Sequence, residues 1–130
     1  MKQLISCLLW ICVPLLFSCG SKGTDTPTEE NLAVNLSATA IQISTSNAYV
    51  LTVNVTSKMP AQGVTVKVDV KREDNGAAVY NIQANSSLSS SNFTISPLPP
   101  GQIYCTATVT VTSVTKATNV WTGTFRVLWK

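Results

Sequence analysis

Few residues of this 130-residue chain could take part in acid–base, nucleophilic or metal chemistry. It has no histidine, which removes the commonest general base and zinc ligand, and only six acidic residues. Asp69, Glu73 and Asp74 cluster at one predicted hairpin, where a calcium site is conceivable. A solvated turn is favoured there, because Lys71 and Arg72 interleave with the acids. We therefore predict a protein that is not an enzyme and uses no cofactor and no metal ion.

The cysteine with the most specific position is Cys19, which follows the apolar run Leu4–Phe17. One positive charge, a short apolar run and a small residue at its end are the layout of a signal peptide. The run is shorter than the roughly 20 residues that a transmembrane helix needs. The sequence LFSC, ending at Cys19, resembles the bacterial lipobox, which implies a signal peptide over residues 1–18, cleavage before the cysteine and a lipid on its thiol. The alternative is an ordinary signal peptide with an incidental cysteine, since Cys7 and Cys12 also occur in the leader.

Residues 19–31 are predicted to be the lipidated cysteine and a flexible tether, because small, polar and charged residues dominate them without periodicity. The net charge of +3 is small and no basic cluster occurs, so we expect no nucleic-acid partner. The expected partners are a membrane, reached through the lipid, and an unidentified protein or glycan. By analogy with enterobacterial lipoproteins, Gly20 after the cysteine favours the outer membrane. The layout resembles lipoproteins of the Bacteroidetes type, and a surface-exposed or a periplasm-facing position both stay open.

Residues 32–130 are predicted to form one all-β domain, because apolar and polar residues alternate along several segments. An Asn-Gly pair within residues 73–76 predicts a type I′ hairpin turn, and the serine-rich residues 85–92 predict a flexible polar loop. Between Leu36 and Ile41 the apolar positions change frame, which predicts a bulge or kink that lets one strand serve two sheets. About seven strands with regular turn signals favour an antiparallel β-sandwich, with a closed barrel as the alternative.

The segment LPPGQIYCTATVTVTS, Leu98–Ser113, resembles the E–F corner and F strand of immunoglobulin and fibronectin type III domains. The resemblance implies an immunoglobulin-like sandwich in which Tyr104 is the conserved corner tyrosine that bonds to nearby backbone. The sequence departs from the pattern because no cysteine pair can bridge the sheets. Tyr104 is also out of frame with Ala107 and Val109, so it faces outward or needs a bulge. Cys105 alternates with core positions and is interpreted as a small buried hydrophobe.

Three aromatic residues could contact a ligand, namely Tyr80, Trp121 and Trp129. Core packing is favoured for the two tryptophans, because they share a strand face with Phe125 and Val127. The predicted function is a non-enzymatic adhesion or protein-interaction module of the cell envelope, displayed by a lipid anchor. One alternative is a carbohydrate-binding module of a polysaccharide-uptake system, which requires an exposed tryptophan in a groove. Another is a structural subunit of an envelope or fimbrial assembly, which requires an unprotected edge strand.

Overall fold

Eight β-strands and no helix form the part of the chain that the computed structural model describes, residues 28–130. The predicted all-β class is therefore confirmed. The predicted signal peptide, the predicted lipidation site Cys19 and the predicted tether up to residue 27 lie outside the described residues. The strands are β1 (Val34–Leu36), β2 (Ile41–Ser44), β3 (Tyr49–Val55), β4 (Val64–Arg72), β5 (Ala78–Ser86), β6 (Ser90–Ile95), β7 (Cys105–Ser113) and β8 (Val120–Trp129).

The strands form two sheets that enclose one apolar core in the manner of a β-sandwich. The smaller sheet has three antiparallel strands in the order β1-β3-β6. The larger sheet has five strands in the order β2-β8-β7-β4-β5, and its only parallel pair is β2 with β8. Leu51 of β3 and Ile95 of β6 meet valines of β4 and β7 in the core. Because apolar and polar side chains alternate along the strands, each sheet buries one face against the other sheet.

The centre of the core comes from the two most regular strands, β4 and β7. Val66 pairs with Val111 and Val68 pairs with Val109, and all four side chains are buried. Full burial of such a side chain stabilises a fold by about 1.5–3 kcal/mol. The intervening threonines of β7 point to the outer face, where they are half-buried. This arrangement follows directly from a side-chain period of two.

The segment from residue 32 to residue 44, which the sequence predicts as one kinked strand, forms two strands in different sheets. Val34 to Leu36 pair with β3 in the small sheet, whereas Ile41 to Ser44 pair with β8 in the large sheet. The change of apolar frame between these segments therefore marks a crossing from one sheet to the other, as predicted. Because this crossing divides the strand, the described chain has eight strands where the sequence predicts about seven.

The predicted hairpin between β4 and β5 forms, but its turn is not of type I′. A type I′ turn needs positive φ at both central residues, and in this loop only Gly76 has it, with φ 72°. The Arg72 amide donates to Ala77 O at 2.9 Å, and the Gly76 amide donates to Arg72 O at 3.0 Å. Five residues, 73–77, therefore connect the strands, because the paired register ends at Lys71 and Ala78.

The predicted flexible loop over residues 85–92 is wrong for most of its length. Strand β5 continues to Ser86 and β6 begins at Ser90, so only residues 87–89 connect them. Polar residues form these strand ends because neighbouring strands hold them: Asn54 pairs with Ser90, and Val64 pairs with Ser86. Tertiary pairing overrides the weak β propensity of serine and asparagine at this point.

Candidate binding surfaces

The strand directions place the loops at two opposite ends of the sandwich. The N-terminal pole is the end where residues 28–33 join the domain, and its other connections are residues 56–63, 87–89 and 114–119. The distal pole carries residues 45–48, 73–77 and 96–104, together with the end of β8. The two loops that the sequence singles out therefore lie at opposite poles, residues 87–89 at the N-terminal pole and residues 73–76 at the distal one.

Asn119 holds the chain where it joins the N-terminal pole. Its side chain is 6% exposed, its Oδ1 accepts from the Leu32 amide at 2.9 Å, and its Nδ2 donates to Glu30 O at 2.8 Å. The same Nδ2 donates to Oε1 of Glu29 at 2.6 Å, while the Lys58 amide donates to Oε2 of Glu30 at 3.1 Å. Sequence reasoning missed this role, since nothing in the sequence links residues nearly 90 positions apart.

A cavity of about 340 Å³ lies beside this attachment. Glu29, Lys58, Met59, Pro60 and Thr115 are among the residues that line it. Oε2 of Glu29 is buried and has no hydrogen-bond partner among the described residues. The cavity borders Thr28, the first residue of the described range, so it lies where the predicted tether would join the domain.

A compact polar cluster on the outer face of the large sheet surrounds Arg126 near the distal pole. Nε of Arg126 donates to Oε1 of Glu73 at 2.7 Å, and its NH2 group donates to Oε2. The Thr106 hydroxyl donates to Oε1 of Glu73 at 2.8 Å, and the guanidinium carbon lies 4.1 Å from the centre of the Tyr104 ring. The hydrogen bonds from Arg126 and Thr106 lower the pKa of Glu73, and the bond to Glu73 raises the pKa of Arg126. The cluster fastens the β4–β5 loop to β7 and β8.

Tyr104 faces outward, one of the two outcomes that its frame allows, and is 38% exposed. Its ring lies against Arg126. Its hydroxyl has no hydrogen bond to the described backbone, in contrast to the corner tyrosine that the resemblance implies. Its backbone carbonyl accepts from the Glu73 amide at 2.9 Å, so the residue still ties the strand entering β7 to the distal turn.

The acidic residues of the hairpin are each paired with a different partner. Asp69 accepts from Nδ2 of Asn81 at 3.0 Å, which lowers the pKa of the aspartate. Asp74 accepts from both Nε and NH2 of Arg72, at 2.9 and 2.6 Å, and this pair lowers the pKa of Asp74. Within residues 28–130, no three acidic or cysteine side chains gather closely enough to hold a metal ion.

The three aromatic candidates are not brought together. Trp121 and Trp129 lie on the inner face of β8, both half-buried against the core, and eight residues separate them by about 26 Å. Tyr80 lies on the inner face of β5, three strands away, opposite Val70. No two of them form one stacking surface for a sugar ring. A ligand role for each stays a prediction.

Cys105 lies in the core with 0% exposure and is a free thiol. Burial raises the pKa of its thiol, the reverse of what a reactive thiolate needs. No described helix is long and apolar enough to serve as a membrane span. No protein-family model matches the chain, and no curated protein matches it.

Proposed function

We propose that the protein is a non-enzymatic envelope lipoprotein, in which a lipid on Cys19 tethers an immunoglobulin-like domain that presents a protein-interaction surface. The observation that carries this proposal is the attachment at Asn119. Because Asn119 fixes residues 29–32 at one pole, the tether leaves the domain there and the distal pole points away from the anchor. The loop of residues 73–77 then lies, with residues 45–48 and 96–104, at the end of the domain opposite the anchor.

The strand order supports the immunoglobulin-like type. In immunoglobulin domains, strands A, B and E share one sheet while strands C, F and G share the other, and variable-type domains add C′ beside C. Here β1, β3 and β6 take the places of A, B and E, and β4, β7 and β8 take those of C, F and G. Strand β5 takes the place of C′. Two features of residues 28–130 depart from the antibody pattern, namely the lack of a disulfide between the sheets and the outward Tyr104.

The distal pole is suited to presenting a protein-binding surface because its loop is held in place. Glu73 bonds to Arg126 and Thr106, and Asp74 bonds to Arg72, so the turn is fixed to β4, β7 and β8. A loop that is ordered before binding loses less conformational entropy when a partner docks. The aromatic residues give carbohydrate binding no comparable support, since they lie apart on the inner faces.

The anchor and the orientation are tested together by labelling single cysteines on intact cells. Asn75→Cys places a thiol in the distal loop, and Ala117→Cys places a matched thiol in an exposed loop of the N-terminal pole. Cys105 is buried and should stay silent, and a lipidated Cys19 cannot react. We expect a membrane-impermeant maleimide to label the Asn75→Cys protein faster than the Ala117→Cys protein.

Mass spectrometry of the N-terminal peptide reads out the lipid in the same cells. A diacylglyceryl mass on Cys19 is expected, and Cys19→Ala should leave the leader uncut and the peptide unmodified. An unmodified N-terminus created by cleavage elsewhere would overturn the lipoprotein proposal. Equal labelling at both poles would overturn the orientation, and labelling only after the outer membrane is opened would place the domain on the periplasmic side.

A further inference from the structure

Strand β5 is an unusual edge. It closes one side of the large sheet, spans nine residues, and within the described chain pairs only with β4. The other edge strands, β1, β2 and β6, have three, four and six residues. Proteins usually protect a long edge with charges, proline or a bulge, yet Ala78–Ser86 contains no charged residue and no proline. The one irregularity, at Val70/Lys71, leaves regular pairing from Tyr80 to Ser86.

The inner face of β5 is only partly covered. Tyr80, Ile82 and Ala84 face inward opposite three valines of β4 that are at most 1% exposed. The β5 residues themselves are only half-buried, because the facing sheet has three strands and ends at β6. An apolar strip therefore lies directly beside the unpaired backbone of the edge. A strand added to β5 would both complete hydrogen bonds and cover this strip.

We propose that β5 pairs antiparallel with β5 of a second copy of this chain, about a two-fold axis at Ile82. Residues 80–84 of the strand are complementary to themselves in this register. On the outer face, Asn81 lies opposite Gln83 of the second copy, so that two amides with donors and acceptors meet twice. On the inner face Tyr80 lies opposite Ala84, a large side chain beside a small one. The two large sheets then join into one continuous sheet.

Because β5 carries no charged residue, a second copy of the same strand can pair with it without charge repulsion. A charged residue on β5 would face a like or unpaired charge across a two-fold axis, and β5 carries none. Two side-chain amides on the outer face of β5 also form hydrogen bonds to β4 of the same molecule. Asn81 donates to Asp69, and Oδ1 of Asn85 accepts from the Thr65 hydroxyl at 2.8 Å. A single strand edge is a small interface, so the dimer in solution belongs to the weak, transient class.

The pairing also sets the direction of the two molecules, a consequence that rests on the proposed lipid anchor. An antiparallel pair places the two N-terminal poles at opposite ends of the joined sheet. For both anchors to enter one membrane while the strands stand upright on it, one tether must run back along the full sheet, about 30 Å for the nine residues of β4. The nine residues 19–27 reach at most about 30 Å when fully extended. Two upright copies could therefore share one membrane only with one tether fully extended, whereas anchors in two facing membranes need no such extension.

Disulfide trapping tests the register in the chain from Gly20 onward, which keeps every described strand and the whole core. Only residue 82 lies opposite itself, so Ile82→Cys should form an intermolecular disulfide under mild oxidation. Ala84→Cys is the matched control on the same face. Its two copies are offset by four residues, about 13 Å, which is beyond the reach of a disulfide. Equal cross-linking of both variants, or of neither, would overturn the register.

Sedimentation equilibrium over the micromolar to millimolar range tests the pairing without cysteines. Asn81→Lys with Gln83→Lys places like charges opposite each other twice and should weaken dimerisation by roughly tenfold. Thr122→Lys with Thr124→Lys is the control, since these exposed residues lie on the same outer face but on β8, three strands away from β5. A monomeric wild-type protein, or equal effects of the two double variants, would overturn the proposal.

Vesicle clustering separates this inference from the proposed function. The acylated protein on phosphatidylcholine vesicles should cluster them, and the Asn81→Lys/Gln83→Lys protein should not. A trapped dimer in solution without clustered vesicles would uphold the pairing and overturn the arrangement between facing membranes. A chain that is never acylated in cells would overturn the lipoprotein proposal and leave the solution dimer standing.

Discussion

Gly123 lies beneath the indole of Trp121, and an alanine there would test how closely the two are packed. A β-carbon built on Gly123 would lie 2.9 Å from Cζ2 and 3.0 Å from Cζ3 of Trp121, and closer still to Cη2. The indole would have to move for alanine to fit. Gly123 pairs with the buried Val109 of β7, so this crowding falls on the core side of β8.

The expected magnitude is the difference of two opposing effects. Replacing a strand glycine with alanine normally stabilises by about 0.5–1 kcal/mol, because the unfolded chain has less freedom to lose. Forcing extra volume into packed surroundings costs about 1–3 kcal/mol. We therefore expect Gly123→Ala to lower the free energy of unfolding by about 1 kcal/mol, which is about 4–8 °C in Tm for a domain of this size. With Trp121→Ala already present, the same substitution should stabilise.

Urea unfolding of the wild type, both single variants and the double variant measures this coupling. A coupling energy of about 1–3 kcal/mol is expected, whereas additivity within about 0.5 kcal/mol would refute the reasoning. Fluorescence gives a second measurement in a Trp129→Phe background that begins at Gly20, where Trp121 is the only tryptophan. Gly123→Ala should shift its emission to longer wavelength, because the displaced indole meets more water.

Three further predictions concern single residues. Asn119→Ala should cost about 1–3 kcal/mol and speed amide exchange at Leu32, because the Leu32 N–H loses its partner, whereas Thr118→Ala should do neither. Cys105 should react with a thiol reagent orders of magnitude more slowly in the folded protein than in urea, so fast reaction in native buffer would contradict its burial. Because the folded-state pKa of Glu73 is lowered, its contribution to stability is present above the ordinary glutamate pKa of about 4.3 and is lost as pH falls through the folded-state value. Glu73→Gln should therefore reduce the loss of stability between neutral and acidic pH, and an unchanged pH profile would show that the Arg126 pair contributes nothing.

Strand faces could be predicted from the sequence because a side-chain period of two needs no knowledge of neighbours. The alternating valines of β4 and the change of frame before Ile41 therefore gave the buried face and the crossing between sheets. The polar ends of β5 and β6 were missed, since Ser86 and Ser90 are extended only because other strands pair with them. The prediction of a type I′ turn was wrong for a similar reason, because the register of β4 with β5 decides the length of the loop between them.

The candidate surfaces were predicted less well than the strands. The inward position of Trp121 follows from its frame, and the outward position of Tyr104 is one of the two that its frame allows, but their partners Gly123 and Arg126 do not follow from the sequence. The bond between Asn119 and Leu32 joins residues far apart in the chain, so only the folded arrangement reveals it. Spacing along a chain does not encode which distant side chains meet once two sheets pack together.

The parallel pairing of β2 with β8 gives the domain a direction in which it resists tension. Strand β2 leads back through β1 toward the tether, whereas β8 runs to the distal pole. If the protein is anchored as proposed, a pull between the anchor and the end of β8 draws these two strands past each other along their length. The backbone hydrogen bonds of the four pairs from Ile41 to Ser44 lie across that pull, so they share the load and must break together. A hairpin such as β4 with β5, peeled from its free end, opens one pair at a time. The short parallel pair would therefore set how long a loaded, tethered domain stays folded.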